Sequence, residues 1–420
     1  MADVCFYFQV HQPFRLKRYS IFDIGTHKHY FDEHKNREVM EKVAKKCYLP
    51  TNHMLLELIK RYPGKFKVAF SITGTALEQF SLYVPDVLDS FKALAKTGQV
   101  EFLAETYYHS LSFLYNKQEF KEQVEMHIQK MQELFHHTPV VFRNTELIYS
   151  NDLAYHAEQL GFTAVLAEGH DHILGWKSPN FVYTPYKGSI KLLLKNYKLS
   201  DDVAFRFSDK SWVEHPLSAD RYATWVHASQ GDSVNLFMDY ETFGEHQWDD
   251  TGIFAFLEHL PDELFKRGLS FRLPRELAQL PAKDALDIHN FISWADNERD
   301  LSAWKGNRMQ DHALEELYKL EEAVKKTRDS SILEDWRKLQ TSDHFYYMCT
   351  KYFNDGDVHK YFNPYESPYE GFVAFMNVLN DLVIRINTKL KIQLARPKPQ
   401  TELQQPIVLD RPSQHLAYQY

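Results

Sequence analysis

Two short stretches of the chain hold carboxylates in settings suited to covalent and proton-transfer chemistry. Glu146 lies in Phe142-Arg-Asn-Thr-Glu-Leu-Ile-Tyr149, among apolar residues and three positions after Arg143. A carboxylate at a strand end beside a cation stays ionised, as a nucleophile must. The same pattern also fits a buried Arg–Glu pair that holds a loop. Asp239 lies in Asn235-Leu-Phe-Met-Asp-Tyr-Glu-Thr-Phe-Gly244, directly after an apolar run. Low dielectric there raises a carboxyl toward the range of a general acid. An Asp at that position can equally cap a following helix. Glu241 points the same way as Asp239 if the strand continues, and could orient or tune it.

Other polar groups decide less by themselves. His11-Gln12-Pro13 follows the first apolar run, and an isolated His at a strand end is more often structural. His170-Asp171-His172 has the look of a metal cluster, but a three-residue window does not complete a site. No pair elsewhere has zinc-like spacing, so no metal is expected. The glycines stand singly rather than as G-x-G-x-x-G or a P-loop, and no cofactor is expected either. Trp304, in Asp300-Leu-Ser-Ala-Trp-Lys-Gly306, could stack on a ligand ring or pack between domains.

These residues need elements to position them, and the chain repeats one local pattern: helix, stop glycine, short strand. Gly64, Gly98, Gly161 and Gly268 each precede an apolar run, at 65–71, 99–104, 162–167 and 269–271. Between 120 and 135, apolar residues recur at helical spacing. Further strands are predicted at 4–10, 140–143 and 233–239. Alternating strands and helices imply a mostly parallel α/β sheet. A barrel is the expected form, because His11, Glu105, His109, Glu146 and Asp239 all follow strands, where barrel sites are built. The segment 169–234 is too long for one strand–helix unit; it has strand-like pieces at 192–194 and 203–207 and should form an excursion near the site. After about residue 281 helices are predicted at 311–326, 331–339 and 369–387, with no strand between them. The expected organisation is a barrel domain over 1–281, a helical domain over 282–394, and a Pro- and Gln-rich tail or linker over 395–420.

Composition bounds the function classes. A net charge of −8 with no basic block argues against a nucleic-acid surface. Three widely spaced cysteines argue against a disulfide framework and fit a reducing compartment. Neither a signal-peptide pattern nor a run of membrane-spanning length is present, so a cytoplasmic protein without a membrane partner is expected. Aromatics reach 15% of the chain, which suits a sugar-stacking cleft as well as a large core.

Taken in order, the pieces resemble glycoside hydrolase family 57, which includes α-amylases, 4-α-glucanotransferases and branching enzymes. Its five short regions have counterparts here: His11-Gln-Pro13; Gly98-Gln-Val-Glu-Phe-Leu-Ala-Glu-Thr-Tyr-Tyr-His-Ser110; Arg143-Asn-Thr-Glu-Leu-Ile-Tyr149; Met238-Asp-Tyr-Glu-Thr-Phe-Gly244; and Thr341-Ser-Asp-His-Phe-Tyr-Tyr347. The resemblance implies an incomplete (β/α)7 barrel followed by an α-helical C-terminal domain that completes the site, with no catalytic metal. It places Glu146 as nucleophile and Asp239 as acid/base of a retaining double displacement on α-1,4-glucans. The implied substrate contacts are His11, Gln12, His109, Arg143, Glu241, His246, Trp304, Asp343 and Tyr346. His109 stands where transferase members tend to carry Glu, and Tyr346 and His246 where they often carry Trp. An α-amylase-like hydrolase acting on α-glucan or maltooligosaccharide is therefore expected, with a 4-α-glucanotransferase as the alternative. A metal-dependent polysaccharide deacetylase or a non-catalytic carbohydrate-binding protein is disfavoured, since both carboxylates are present and no His pair stands at the strand ends. No oligomeric state is assigned.

Overall fold

The first apolar run shows why these segments become strands. In the computed structural model, which describes residues 2–351 and 363–395, it forms β1 (Asp3–Val10). Val4, Phe6, Phe8 and Val10 pack outward against helices, whereas Cys5 and Tyr7 face an inner cluster with Ala69, Val141, Leu166 and Phe237. Side chains alternate across a strand, so burial on both faces requires a nearly continuous apolar sequence. The same logic applies to β2 (Val68–Ile72), β3 (Val100–Phe102), β4 (Val141–Arg143), β5 (Ala164–Glu168), β7 (Lys191–Lys195) and β8 (Ser233–Asp239). Two short strands, β6 (Tyr183–Pro185) and β9 (Asp284–Leu286), complete the set among the described residues.

One sheet runs β3-β2-β1-β8 and the other β4-β5-β7-β6-β9. They join where Ala104, just past β3, bridges Phe142 of β4 in parallel. The result is a parallel run of seven, β8-β1-β2-β3-β4-β5-β7. Its two ends meet only where Asn196 N–H donates to Asn235 O (2.9 Å) and Asn235 Nδ2 donates to Leu194 O (2.8 Å). The barrel is thus incomplete between β7 and β8, and there β6 pairs antiparallel with β7 and parallel with β9. Gly64 and Gly161 end their helices at φ 74° and 88°, a left-handed backbone that glycine adopts without strain.

Two predicted strands differ. The piece at 203–207 is instead the end of helix Tyr197–Ala204 and the bend after it. Asn196 starts that helix by accepting from Leu199 N (3.1 Å), so Val203 and Phe207 reach the core from helical and turn backbone. The run at 269–271 shrinks to a single bridge, Val4 with Phe271, on the edge of β1 below Tyr7, where β2 begins to pair.

Past β9 the described residues hold helices and no strand, chiefly Arg308–Lys319, Glu321–Thr327, Ser330–Lys338, Ser342–Tyr346 and Pro368–Ala395. Leu314, Trp336, Phe345 and Leu379 from these helices share a core with Leu16, Tyr30, Leu111 and Ile148. Those four belong to the segments that follow β1, β3 and β4, so the helices sit over the C-terminal ends of the strands. The seam is fixed by Ser342 N–H to His109 O (2.9 Å) and an antiparallel bridge between Ser110 and Thr341. The predicted tail lies outside the described residues, apart from its first residue, Ala395, which ends the last helix. Among the described residues no helix is long and apolar enough to cross a membrane.

Candidate active site

The chain leaves β4 through one tight helical turn, Thr145–Leu147. Glu146 there has φ 57° and ψ 26°, and Leu147 has φ 51°. Side-chain-bearing residues resist this left-handed region at a cost of about 1–3 kcal/mol each, and such strain gathers at functional sites. The loop after β9 braces the turn: Tyr149 pairs antiparallel with Ile292, and Trp294 N–H donates to Glu146 O (3.2 Å). His109, on the segment after β3, is also left-handed, at φ 50°.

These two strained residues face each other. His109 Nε2 lies 3.2 Å from Glu146 Oε1, and Ser342 Oγ donates to the same oxygen at 3.2 Å. Trp294 Nε1 donates to Oε2 at 2.8 Å. Burial alone would raise the Glu146 carboxyl. The hydrogen bond and charge of His109, the charge of Arg143 and the Trp294 N–H together hold it below its ordinary value. The imagined Arg143–Glu146 pair does not form. Arg143 is fully buried, its guanidinium 3.9 Å from Glu105 Oε2 and stacked on the Trp294 ring (4.8 Å to the centroid).

Asp239 ends β8 and leads into the short turn Tyr240–Thr242, but its side chain caps nothing. No hydrogen bond from the described residues reaches its carboxyl. Burial and then the charge of Glu146 push it up to about 6, against the opposing charges of Arg143, Lys195 and His109. The two carboxyl groups are thus driven in opposite directions by their surroundings. Behind Asp239, burial and the Asp239 charge push Glu241 up to about 8. Glu241 accepts from the Tyr48 hydroxyl and from Gln12 Nε2 (3.4 Å).

His11 stacks on His109 with ring centroids 4.0 Å apart. Its Nε2 lies 2.8 Å from Asp343 Oδ2 and its Nδ1 3.0 Å from Thr73 Oγ1. Burial and then the His109 charge lower its pKa. Helix Ser342–Tyr346 therefore reaches the cluster from above, with Ser342 on Glu146 and Asp343 on His11. Tyr346, partly buried, has its ring 6.4 Å from that of Trp304. Trp304 is 1% exposed inside the helical core, so in this structure it packs rather than presenting a face for stacking. His246 follows Gly244. Its backbone N–H donates to Glu241 O (2.8 Å), and burial pulls its imidazole down to about 4.

Two neighbours of Glu146 and His109 escaped sequence reasoning, and a third, Glu105, was read only as one of several polar residues that follow strands. Trp294 sits in a polar loop with no fixed spacing to Glu146, and only the fold joins them. Ser342 stood inside a recognised stretch beside the more conspicuous Asp343. Glu105 was visible at a strand end but had no partner until His109 turned back on it. Trp294 is itself held: Arg299 donates to Trp294 O and pairs with Glu168 (3.1 Å) and Asp201 (2.8 Å), and Lys195 bonds Asp201 (2.9 Å). This buried quartet balances two cations with two anions. His170 caps its own turn through His172 N and packs against the Tyr197 ring (5.3 Å between centroids), and Asp171 pairs with Lys198 at 2.8 Å. Among the described residues no group of His, Cys, Asp and Glu is arranged to hold a metal ion.

Comparison with known proteins adds four likenesses. Residues 5–289 match the sequence profile of the family described as Glycosyl hydrolase family 57. A Methanocaldococcus jannaschii protein provisionally named an alpha-amylase is 44% identical over 393 residues, 90% of this chain and 83% of its own length. The solved branching enzyme of Thermococcus kodakaraensis superposes with a TM-score of 0.67 at 13% identity, covering 93% of this chain and 92% of that one. The 4-alpha-glucanotransferase of Thermococcus litoralis superposes at 0.60 with 16% identity, covering 82% of this chain and 56% of that one. At these identities the superpositions speak for the fold.

Proposed function

The chain belongs to glycosyl hydrolase family 57 and is by that membership a glycoside hydrolase, and we propose that it cleaves α-1,4-glucans with retention of configuration. The observation that carries the reading is the opposed pair: Glu146 held ionised by three donors, Asp239 unbonded and pushed up to about 6. Asp239 gives its proton to the leaving glycosidic oxygen while Glu146 attacks the anomeric carbon. The covalent ester removes the Glu146 charge, and with it one cause of the raised Asp239 pKa. Asp239 then serves as base for an incoming water. In this reading the barrel of residues 1–281 supplies both carboxylates. The helices past β9 complete the site with Ser342 and Asp343. Cys5, Cys47 and Cys349, all buried and in no disulfide, suit a cytoplasmic enzyme.

The test is a time course on maltooligosaccharides and amylose. Early NMR spectra are expected to show products in the α configuration, with new reducing ends accumulating. Chain redistribution without new reducing ends would make the protein a glucanotransferase instead. First-formed β products would rule out double displacement, and inert α-glucans would rule out the substrate.

Trp294→Phe keeps the ring over Arg143 and deletes the N–H aimed at Oε2. A hydrogen bond to a charged group is worth about 1.5–3 kcal/mol, so kcat should fall about tenfold to a hundredfold. KM should hardly move, because the indole N–H is directed at the carboxylate. Steady-state kinetics of the purified variant check both numbers.

A further inference from the structure

A neutral imidazole has one N–H and one lone pair, so it cannot donate from both nitrogens. At His109 both nitrogens face carboxylate oxygens: Nδ1 is 3.0 Å from Glu105 Oε2, and Nε2 is 3.2 Å from Glu146 Oε1. Glu105 is fully buried and surrounded by donors. Its Oε1 accepts from the Ser71 hydroxyl and from Gln9 Nε2 (3.2 Å), and the Arg143 guanidinium lies 3.9 Å from its Oε2. That surrounding suits a carboxylate, not a carboxylic acid that would donate to His109. Two acceptors then demand two donors.

We propose that Glu105 is a positioning residue that holds His109 as an imidazolium and so keeps a fixed N–H on Glu146 Oε1 throughout turnover. The proposal rests on the reading of Glu146 as nucleophile. Glu105 does not touch the reacting atoms; it acts through His109. Its value is clearest after attack, when the Glu146 ester carries no charge. Without Glu105 the imidazolium would then be a buried cation with no adjacent anion, beside the Arg143 guanidinium and under the His11 ring. The other charged groups around it are Asp239 at the end of β8 and Asp343, which is bound to His11. The electrostatics agree with the geometry. Burial pulls His109 down, but its bonds to Glu105 and Glu146 outweigh this and raise it to about 9. For Glu105, burial is outweighed by His109 and then Arg143, and the carboxyl falls to about 2.

The first experiment is nitrogen-15 NMR of the full chain with labelled histidine, with the His109 signals assigned by their loss in H109Q. At pH 7.5 both His109 nitrogens should be protonated in the wild type, and this state should be lost in Glu105→Gln. A neutral His109 in the wild type, or an imidazolium persisting in folded E105Q, overturns the proposal. If E105Q does not fold, the wild-type spectrum alone decides. The second readout is the pH profile of kcat/KM on α-maltosyl fluoride, whose leaving group needs no proton from Asp239. A raised imidazole keeps its proton, and the contact it supports, below its folded-state pKa and loses both above it. The wild-type alkaline limb should therefore lie near pH 9 and move down by about one unit or more in E105Q, a loss of at least about twofold at pH 8 and about tenfold at pH 10. An unmoved limb in a folded variant refutes the role, since a purely structural Glu105 would change the rate without shifting its pH dependence. The nucleophile reading fails separately, if Glu146→Gln stays active, and the spectrum still decides the Glu105–His109 contact.

Discussion

Glu146→Gln should lose turnover on amylose, maltooligosaccharides and α-maltosyl fluoride together, by on the order of 10^4-fold or more. An amide cannot form the glycosyl ester, so activating the leaving group does not help. The substitution preserves shape on a backbone already set at φ 57°. Circular dichroism and thermal unfolding should stay close to wild type, which separates lost chemistry from lost structure. Truncation to Glu146→Ala opens room for a small anion. Azide should then displace fluoride directly and give the inverted β-glycosyl azide. A folded Glu146→Gln that still turns over the fluoride at a wild-type rate would remove Glu146 from the mechanism.

How far the sequence leads to this site depends on the kind of signal each residue leaves. Strands and their order of appearance were readable because a strand buried on both faces needs an unbroken apolar run, and a stop glycine precedes several of them. Carboxylates directly after such runs, Glu146 and Asp239, stood out for the same reason. What periodicity cannot supply is the direction of a side chain on a short turn. Trp304 occupies the four-residue helix Ser302–Lys305 and could face either way; it faces the core. Val203 and Phe207 read as strand because they are apolar, yet a cap at Asn196 committed the segment to helix. Trp294 reaches Glu146 from the loop after β9 and Ser342 from the start of a helix, a contact that exists only after the helical region docks on the strand ends, while Glu105 meets His109 within one segment because the chain turns back on itself. The left-handed backbone at His109 and Glu146 is a further feature that composition does not announce, since neither residue type requires it.

Asp239→Ala should separate the two halves of the mechanism. In the wild type, kcat/KM on unactivated glucans should fall as pH rises through about 6, where the Asp239 carboxyl loses its proton. It should also fall at low pH, as Glu146 takes one up, giving a bell whose acid side lies below the ordinary glutamate value. Removing Asp239 abolishes the alkaline side of that bell and costs on the order of 10^2–10^4-fold on amylose, the usual worth of a positioned acid. α-Maltosyl fluoride should still glycosylate Glu146, because fluoride leaves without protonation. The ester then accumulates, since no base activates water. Azide needs no base, so it should restore turnover and release a glycosyl azide of α configuration, formed by two successive inversions. An α-azide from the Asp239 variant and a β-azide from Glu146→Ala together fix both roles. The reverse distribution, a β-azide from the Asp239 variant and an α-azide from the Glu146 variant, would exchange them.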